Sequence, residues 1–116
     1  MKIITLEDHF VTPMMNEKRP PMAQAGAEGL AARGRDLGHD IEAELLDLTG
    51  SRIKAMDAAG IDLQIVSLTM PGTEAFPPDI AIPMAQDAND RLAAAVKAHP
   101  TRLAGFAALP TSVTLR

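Results

Sequence analysis

Three short apolar runs, separated by stretches with helical periodicity, constrain this chain more than any other feature. The first, Lys2 to Leu6, holds Ile3, Ile4 and Leu6 and reads as a buried strand. The second, Ile61 to Leu68, contains Ile65-Val66, too apolar for a half-solvated edge and suited to a central parallel strand. The third, Leu103 to Leu109, is closed by Pro110. Between the first two, Glu42 to Leu48 reads as helical. Ser51 to Ala59 does so more clearly, with Ile53, Met56 and Ala59 in one stripe and Arg52, Lys54 and Asp57 outside it. Gly60 then suits a left-handed C-cap. Between the second and third runs, the pattern predicts a helix from Ile82 or Pro83 to His99, because proline is tolerated in a first turn. Met84, Ala88, Leu92, Ala95 and Val96 form its inner face, and Asp87 and Arg91 pair on the outer one. Strand, helix, strand, helix, strand implies an α/β fold with parallel neighbours and right-handed crossovers.

The stretch from Val11 to Asp40 breaks this pattern. Pro13, Pro20 and Pro21, with Gly26, Gly29, Gly34 and Gly38, leave little periodicity. It reads as a long loop over residues 11–40, with at most a helical turn around Ala23 to Ala32. A loop of that length in a compact domain is usually functional or disordered. Lying directly after Glu7-Asp8-His9, it is placed to cover a pocket.

Composition narrows the function classes. The chain has 116 residues, the size of one domain or a piece of a larger one. Its 11 Lys and Arg residues are scattered and its net charge is −4, so no basic stripe points to nucleic acid or an anionic membrane. Without cysteine it has neither disulfides nor thiolate metal sites, which fits a cytoplasmic protein. No apolar run approaches the roughly 20 residues that a membrane helix needs.

The chemistry concentrates behind the first run. A strand carrying Glu7-x-His9 points two metal-capable side chains the same way, because alternate residues share a face. A carboxylate and an imidazole suit a divalent catalytic metal. The plainer reading is a polar network at a strand end. Asp8 falls on the opposite face and is expected to cap or pair. Phe10 either lines an aromatic pocket or packs beneath the following segment. Ser67 and Thr69 share a face at the end of the second strand, where they meet substrate or stabilise the turn. His39 reads as a surface residue, and His99 as a partner for a helix C-terminal dipole.

Several segments together resemble a known family. They are Leu6-Glu7-Asp8-His9-Phe10; Leu45-Leu46-Asp47-Leu48 leading into Arg52-Ile53-Lys54-Ala55-Met56-Asp57-Ala58-Ala59-Gly60-Ile61; Ile65-Val66-Ser67-Leu68 with Pro71; Ala88-Asn89-Asp90; and Phe106-Ala107-Ala108-Leu109-Pro110. The combination is similar to the amidohydrolase-related, metal-dependent decarboxylases, relatives of the γ-resorcylate and 2,3-dihydroxybenzoate enzymes. The resemblance implies a TIM-type (β/α)₈ barrel with one divalent metal: zinc, manganese or magnesium. It implies Glu7 and His9 as first-strand metal ligands, since barrel enzymes place their sites at the carboxyl ends of strands. Phe10 and Thr69 are the candidate substrate contacts, and the substrate would be a small carboxylic acid such as a hydroxybenzoate. Glu-x-His resembles the hydroxybenzoate branch, whereas most of the superfamily opens with His-x-His.

A barrel of this kind takes about 250 residues, so the chain is expected to hold only its amino-terminal β/α units. Catalytic groups from later strands have no counterpart in it. A barrel decarboxylase is therefore expected of the parent protein. The alternatives are a metal-dependent hydrolase on the same scaffold and a non-catalytic remnant that oligomerises. Three parallel strands leave two open edges, so the chain is expected to form a homo-oligomer or to bind the remaining units.

Overall fold

The computed structural model describes residues 1–112. In chain order the elements are β1 (Ile4–Phe10), α1 (Pro13–Lys18), α2 (Pro21–Asp36), α3 (Ile41–Leu46), α4 (Gly50–Ala59), β2 (Leu63–Leu68), α5 (Pro78–Ala98) and β3 (Leu103–Gly105). The strands form one sheet in the order β1-β2-β3, with both pairings parallel. α4 lies in the crossover from β1 to β2, and α5 in that from β2 to β3. Three parallel strands with helices in the crossovers are the arrangement expected of the first units of a (β/α)₈ barrel.

One face of the sheet is covered. Phe10, Val66 and Leu103 project from the three strands onto Met56 of α4 and Ala88, Leu92 and Ala95 of α5, and all are buried. A second cluster joins Val11 and Met15 to Phe76, Ala81 and Met84 beyond the carboxyl end of β1. At about 25 cal/mol per Å² of apolar surface, burial on this face supplies the main driving force for folding. The small alanines of α5 let the helix approach closely. Gly105 sits so near Leu92 that a side chain there would collide with it.

The other face is bare. Ile4 is 50% exposed, Leu6 62% and Phe106 62%. The reading of the first run as a buried strand is corrected here: Ile4 and Leu6 lie on the uncovered side, and β1 starts later and extends through Phe10. The chain exposes 7378 Å², against about 6,100 Å² for an ordinary folded chain of its 12.3 kDa.

Residues 11–40 are mostly helical rather than a loop. Thr12 caps α1 by accepting the Met15 backbone N–H at 3.1 Å, and Pro13 takes the first helical position. Pro21 likewise takes the first position of α2, although Pro20 at its N-cap offers no side-chain cap. The prolines read as breakers are starters, since the first turn has no use for their missing N–H. α2 is itself largely exposed, and of its residues only Gly34 is buried, against Ile41. α5 likewise begins at Pro78, earlier than the sequence suggests, and carries Pro83 on its solvent side. β3 is shorter than expected, ending at Gly105. The helix around Met56 ends as anticipated, with Gly60 at φ 70°.

Asp47 holds the start of α4. Its carboxylate accepts the backbone N–H groups of Thr49, Gly50 and Ser51 at 3.1, 2.7 and 2.7 Å, and the Ser51 hydroxyl at 2.9 Å. These bonds, the one from the Ser51 backbone foremost, lower its pKa from 3.8 to about 2. The folded state therefore favours the ionised form. This stabilisation is complete above the unfolded pKa near 4 and disappears as pH falls through about 2. Asp47→Ala is expected to lower stability by about 1 kcal/mol at neutral pH. Asp47→Asn should flatten the acid limb. Urea unfolding at neutral pH and near pH 3 checks both, and an unchanged acid slope in Asp47→Asn would refute the assignment.

Candidate functional site

β1 does not pair with β2 in simple register. Thr5 lies opposite Gln64 and Asp8 opposite Val66, so Leu6 and Glu7 together oppose Ile65. Glu7 takes φ 63°, and it is the one non-glycine residue with positive φ among the described residues. The bulge reverses the parity of the strand. Before it, the odd-numbered Thr5 shares the helix-covered face with Gln64. After it, His9 pairs with Ser67 on the uncovered face, while Asp8 and Phe10 face the helices with Val66 and Leu68. Without the extra residue, Glu7 would oppose Val66 and point into the core. Bulges recur beside functional sites because they re-aim side chains in this way.

The result is the convergence that the Glu-x-His spacing suggests. Glu7 Oε2 lies 4.0 Å from His9 Nε2, with the carboxylate largely exposed and the imidazole partly so. Two donors held at about 2.0–2.2 Å by one ion lie roughly 3.0–3.5 Å apart, so the pair would have to draw together slightly to share one. On its other side, His9 Nδ1 is 3.1 Å from the Ser67 hydroxyl, which leaves Nε2 free toward Glu7. Among the described residues, no group of three or more His, Cys, Asp or Glu side chains gathers to hold a metal. The chain thus offers two donors of suitable chemistry, and further donors would have to come from elsewhere.

Arg52 of α4 fixes this strand from behind. Its guanidinium donates to the His9 carbonyl at 2.8 Å, the Asp47 carbonyl at 3.2 Å and Gln64 Oε1 at 3.3 Å. Burial pushes the guanidinium pKa down, opposed by the charges of Asp8 and Asp47. Asp8 accepts from the Thr5 hydroxyl across the bulge, in place of the cap or salt bridge expected of it. At the open edge of β1, Glu7 and His9 line a cleft with His39, Glu44, Arg52 and Gln64. His39 is exposed, as read from the sequence, and its Nδ1 sits 3.0 Å from Glu44 Oε1 on the rim of this cleft.

A second cleft, of about 370 Å³, opens at the carboxyl ends of β2 and β3 between Ser67, Thr69, Met70, Phe106 and Leu109. Thr69 lies in its wall, where a substrate contact would be, and its backbone N–H donates to the Phe10 carbonyl at 3.0 Å. Phe10 does not reach it: its ring is 1% exposed and belongs to the core. The aromatic residue at the cleft is Phe106, just past the end of β3 in the third apolar run. Asn89 was legible only as part of a motif, but its role is structural. Its side-chain amide donates to the Ala108 carbonyl at 3.0 Å and accepts the Ala108 N–H at 2.7 Å. Together with the Thr73 hydroxyl on the Leu109 carbonyl at 2.8 Å, it holds the cleft wall in place.

No family model matches the chain. The γ-resorcylate decarboxylase of Rhizobium radiobacter is 34% identical over 108 residues, 92% of this chain and 30% of that protein. The dihydroxybenzoic acid decarboxylase of Polaromonas sp. JS666, solved with manganese and the inhibitor 2-nitroresorcinol, superposes with a TM-score of 0.73 at 34% identity. That match covers 96% of this chain and 31% of the Polaromonas protein. The 5-carboxyvanillate decarboxylase of Novosphingobium aromaticivorans, solved with manganese, gives a TM-score of 0.74 at 31% identity, over 93% of this chain and 34% of that one. The chain corresponds to the amino-terminal third of amidohydrolase-type decarboxylases. It spans about 30% of the length of the curated relatives it matches, and its three-stranded sheet is an incomplete (β/α)₈ barrel of their kind.

Arg52 ties β1 to β2 and to the residues leading into α4. Arg52→Lys keeps the charge but loses the planar fork that reaches three acceptors at once. It is expected to cost about 1–2 kcal/mol, on the scale of hydrogen bonds to a charged group. Thermal and urea unfolding measure the loss. Unchanged stability would show that the three bonds are dispensable.

Proposed function

We propose that this chain supplies the first-strand metal donors and part of the substrate mouth of a divalent-metal-dependent decarboxylase acting on a hydroxybenzoate-type acid. The observation that carries this reading is the convergence of Glu7 and His9 at the β1 bulge, at the end of the sheet where barrel enzymes bind substrate. The relatives support the reaction class, being named for decarboxylation of dihydroxybenzoates and 5-carboxyvanillate. Two of the solved relatives hold manganese, which favours that ion here over zinc or magnesium.

In this reading Glu7 and His9 hold the ion, and Ser67 fixes the imidazole so that Nε2 faces it. The ion, when bound, acts as a Lewis acid on a substrate oxygen and as a template for its orientation. Thr69 offers a hydroxyl at the mouth, and Phe106 and Leu109 offer apolar surface to an aromatic ring. Decarboxylation breaks the bond between ring and carboxyl carbon, and the ring carbon takes up a proton as carbon dioxide leaves. No acid of this chain is assigned that proton transfer, which falls to residues of the later β/α units.

The metal reading is testable on the chain as it stands. Titration with Mn²⁺ should broaden the NMR signals of Glu7, His9 and Ser67 selectively. Glu7→Ala and His9→Ala should each abolish that selectivity. Fusing the chain to the remaining part of the Polaromonas relative and assaying carbon dioxide release from 2,6-dihydroxybenzoate tests the reaction. Activity that survives both substitutions would refute the proposed roles.

A further inference from the structure

We propose that Asp8 and Arg52 are positioning residues for the Glu7–His9 pair. Acting from the helix-covered side of the sheet, they lock the β1 bulge and so fix the spacing of two donors on the open side. This assignment deepens the metal-donor reading of Glu7 and His9 and rests on it.

A donor carried on a bulge lacks the support that a regular strand gives its residues. In a ladder each residue is held by its neighbours, whereas a bulge leaves one residue outside the pairing. Here Leu6 and Glu7 together oppose Ile65, and Glu7 takes φ 63°. A side chain other than glycine persists in that conformation only where its surroundings enforce it. The Glu7 side chain is 91% exposed, so its own contacts do not supply the enforcement. Left to relax toward regular pairing, the strand would carry the carboxylate away from His9.

The residue between the two donors supplies it instead. Asp8 turns to the helix side and accepts the Thr5 hydroxyl, so a side-chain bond spans Leu6 and Glu7 from the residue before them to the residue after. Burial disfavours the charged guanidinium of Arg52, and the nearby carboxylates of Asp8 and Asp47 offset this. Arg52 in turn donates to the His9 carbonyl at 2.8 Å and to the buried Gln64 side chain at 3.3 Å, tying the far end of the bulge to β2. The bulge is thus closed at both ends, by Asp8 onto Thr5 and by Arg52 onto His9. An ion that draws Glu7 and His9 together then moves side chains on a fixed backbone. Without the clamp it would also have to order that backbone, and the ordering cost lowers its affinity.

The test sets the clamp against a second arginine that bridges in the same manner elsewhere. Arg102 donates to the Ile61 and Asp62 carbonyls at 2.9 Å each and lies 2.7 Å from Asp57, at the amino end of β2. Arg52→Lys and Asp8→Asn should each weaken Mn²⁺ binding to the chain by about tenfold, the scale for residues that orient metal ligands. Arg102→Lys should lower thermal stability and leave the Mn²⁺ dissociation constant unchanged. A metal-free readout is the backbone of Glu7, followed by NMR. Its HN–Hα coupling and Cα shift should move from left-handed toward extended values in both clamp variants and stay put in Arg102→Lys. If Arg52→Lys unfolds, Thr5→Val, which removes the hydroxyl that Asp8 accepts, takes its place with the same expectation. Unchanged Mn²⁺ binding or unchanged Glu7 signals in the clamp variants overturns the inference, as does an equal loss of Mn²⁺ binding in Arg102→Lys. An unmodified chain in which Mn²⁺ spares Glu7 and His9 refutes the metal-donor reading, and the Glu7 signals then decide alone whether Asp8 and Arg52 hold the bulge.

Discussion

The structure depends on how β1 is held against β2. Parallel pairing fixes the two strands at both ends, and the extra residue between Thr5 and Asp8 shifts one end by a position relative to the other. A one-residue slip in a strand sends every later side chain to the opposite face. Here that slip is built in. It sends Phe10 to the core and His9 to the open side, and it lets one strand serve packing and chemistry in succession. Arg52 secures the arrangement by bonding the His9 carbonyl and the Gln64 side chain together, one from each strand.

Around this constraint the molecule divides by face. The helix-covered side carries the buried apolar residues and resembles a finished protein core. The other side carries Glu7, His9, Ser67 and exposed apolar residues. In a closed barrel such a face becomes the interior, filled by side chains from all strands in layers. Its carboxyl end is where barrel enzymes place their sites. The same residues are thus surface in this chain and interior in the relatives' architecture.

Much of this was legible in the sequence. The alternation of apolar runs and the stripe around Met56 gave the parallel α/β order, and glycine at position 60 marked a helix end that the backbone adopts. The Glu-x-His spacing indicated a shared face, and the side chains do meet. The bulge was not legible, because nothing in Thr5-Leu6-Glu7-Asp8 signals a positive φ at a glutamate. The spacing argument therefore reached the right pairing without the reason that turns it away from the core. The helices between Val11 and Asp40 were missed because Thr12-Pro13 and Pro20-Pro21 were weighed as breakers, though each is also a helix-start signature. Of the two roles open to Phe10 the core is the one it takes, and Phe106 stands at the cleft. Composition cannot distinguish an aromatic residue packed in a core from one at a cleft, and only the strand parity separates them.

The left-handed backbone at Glu7 carries a consequence for anyone reshaping this scaffold. An ordinary side chain in that conformation costs on the order of 1 kcal/mol, which glycine would relieve. A redesign ranked by thermal resilience alone would accordingly favour glycine at position 7, and each molecule it improved would have surrendered the carboxylate that stands beside His9. Robustness and chemical purpose compete there for a single codon.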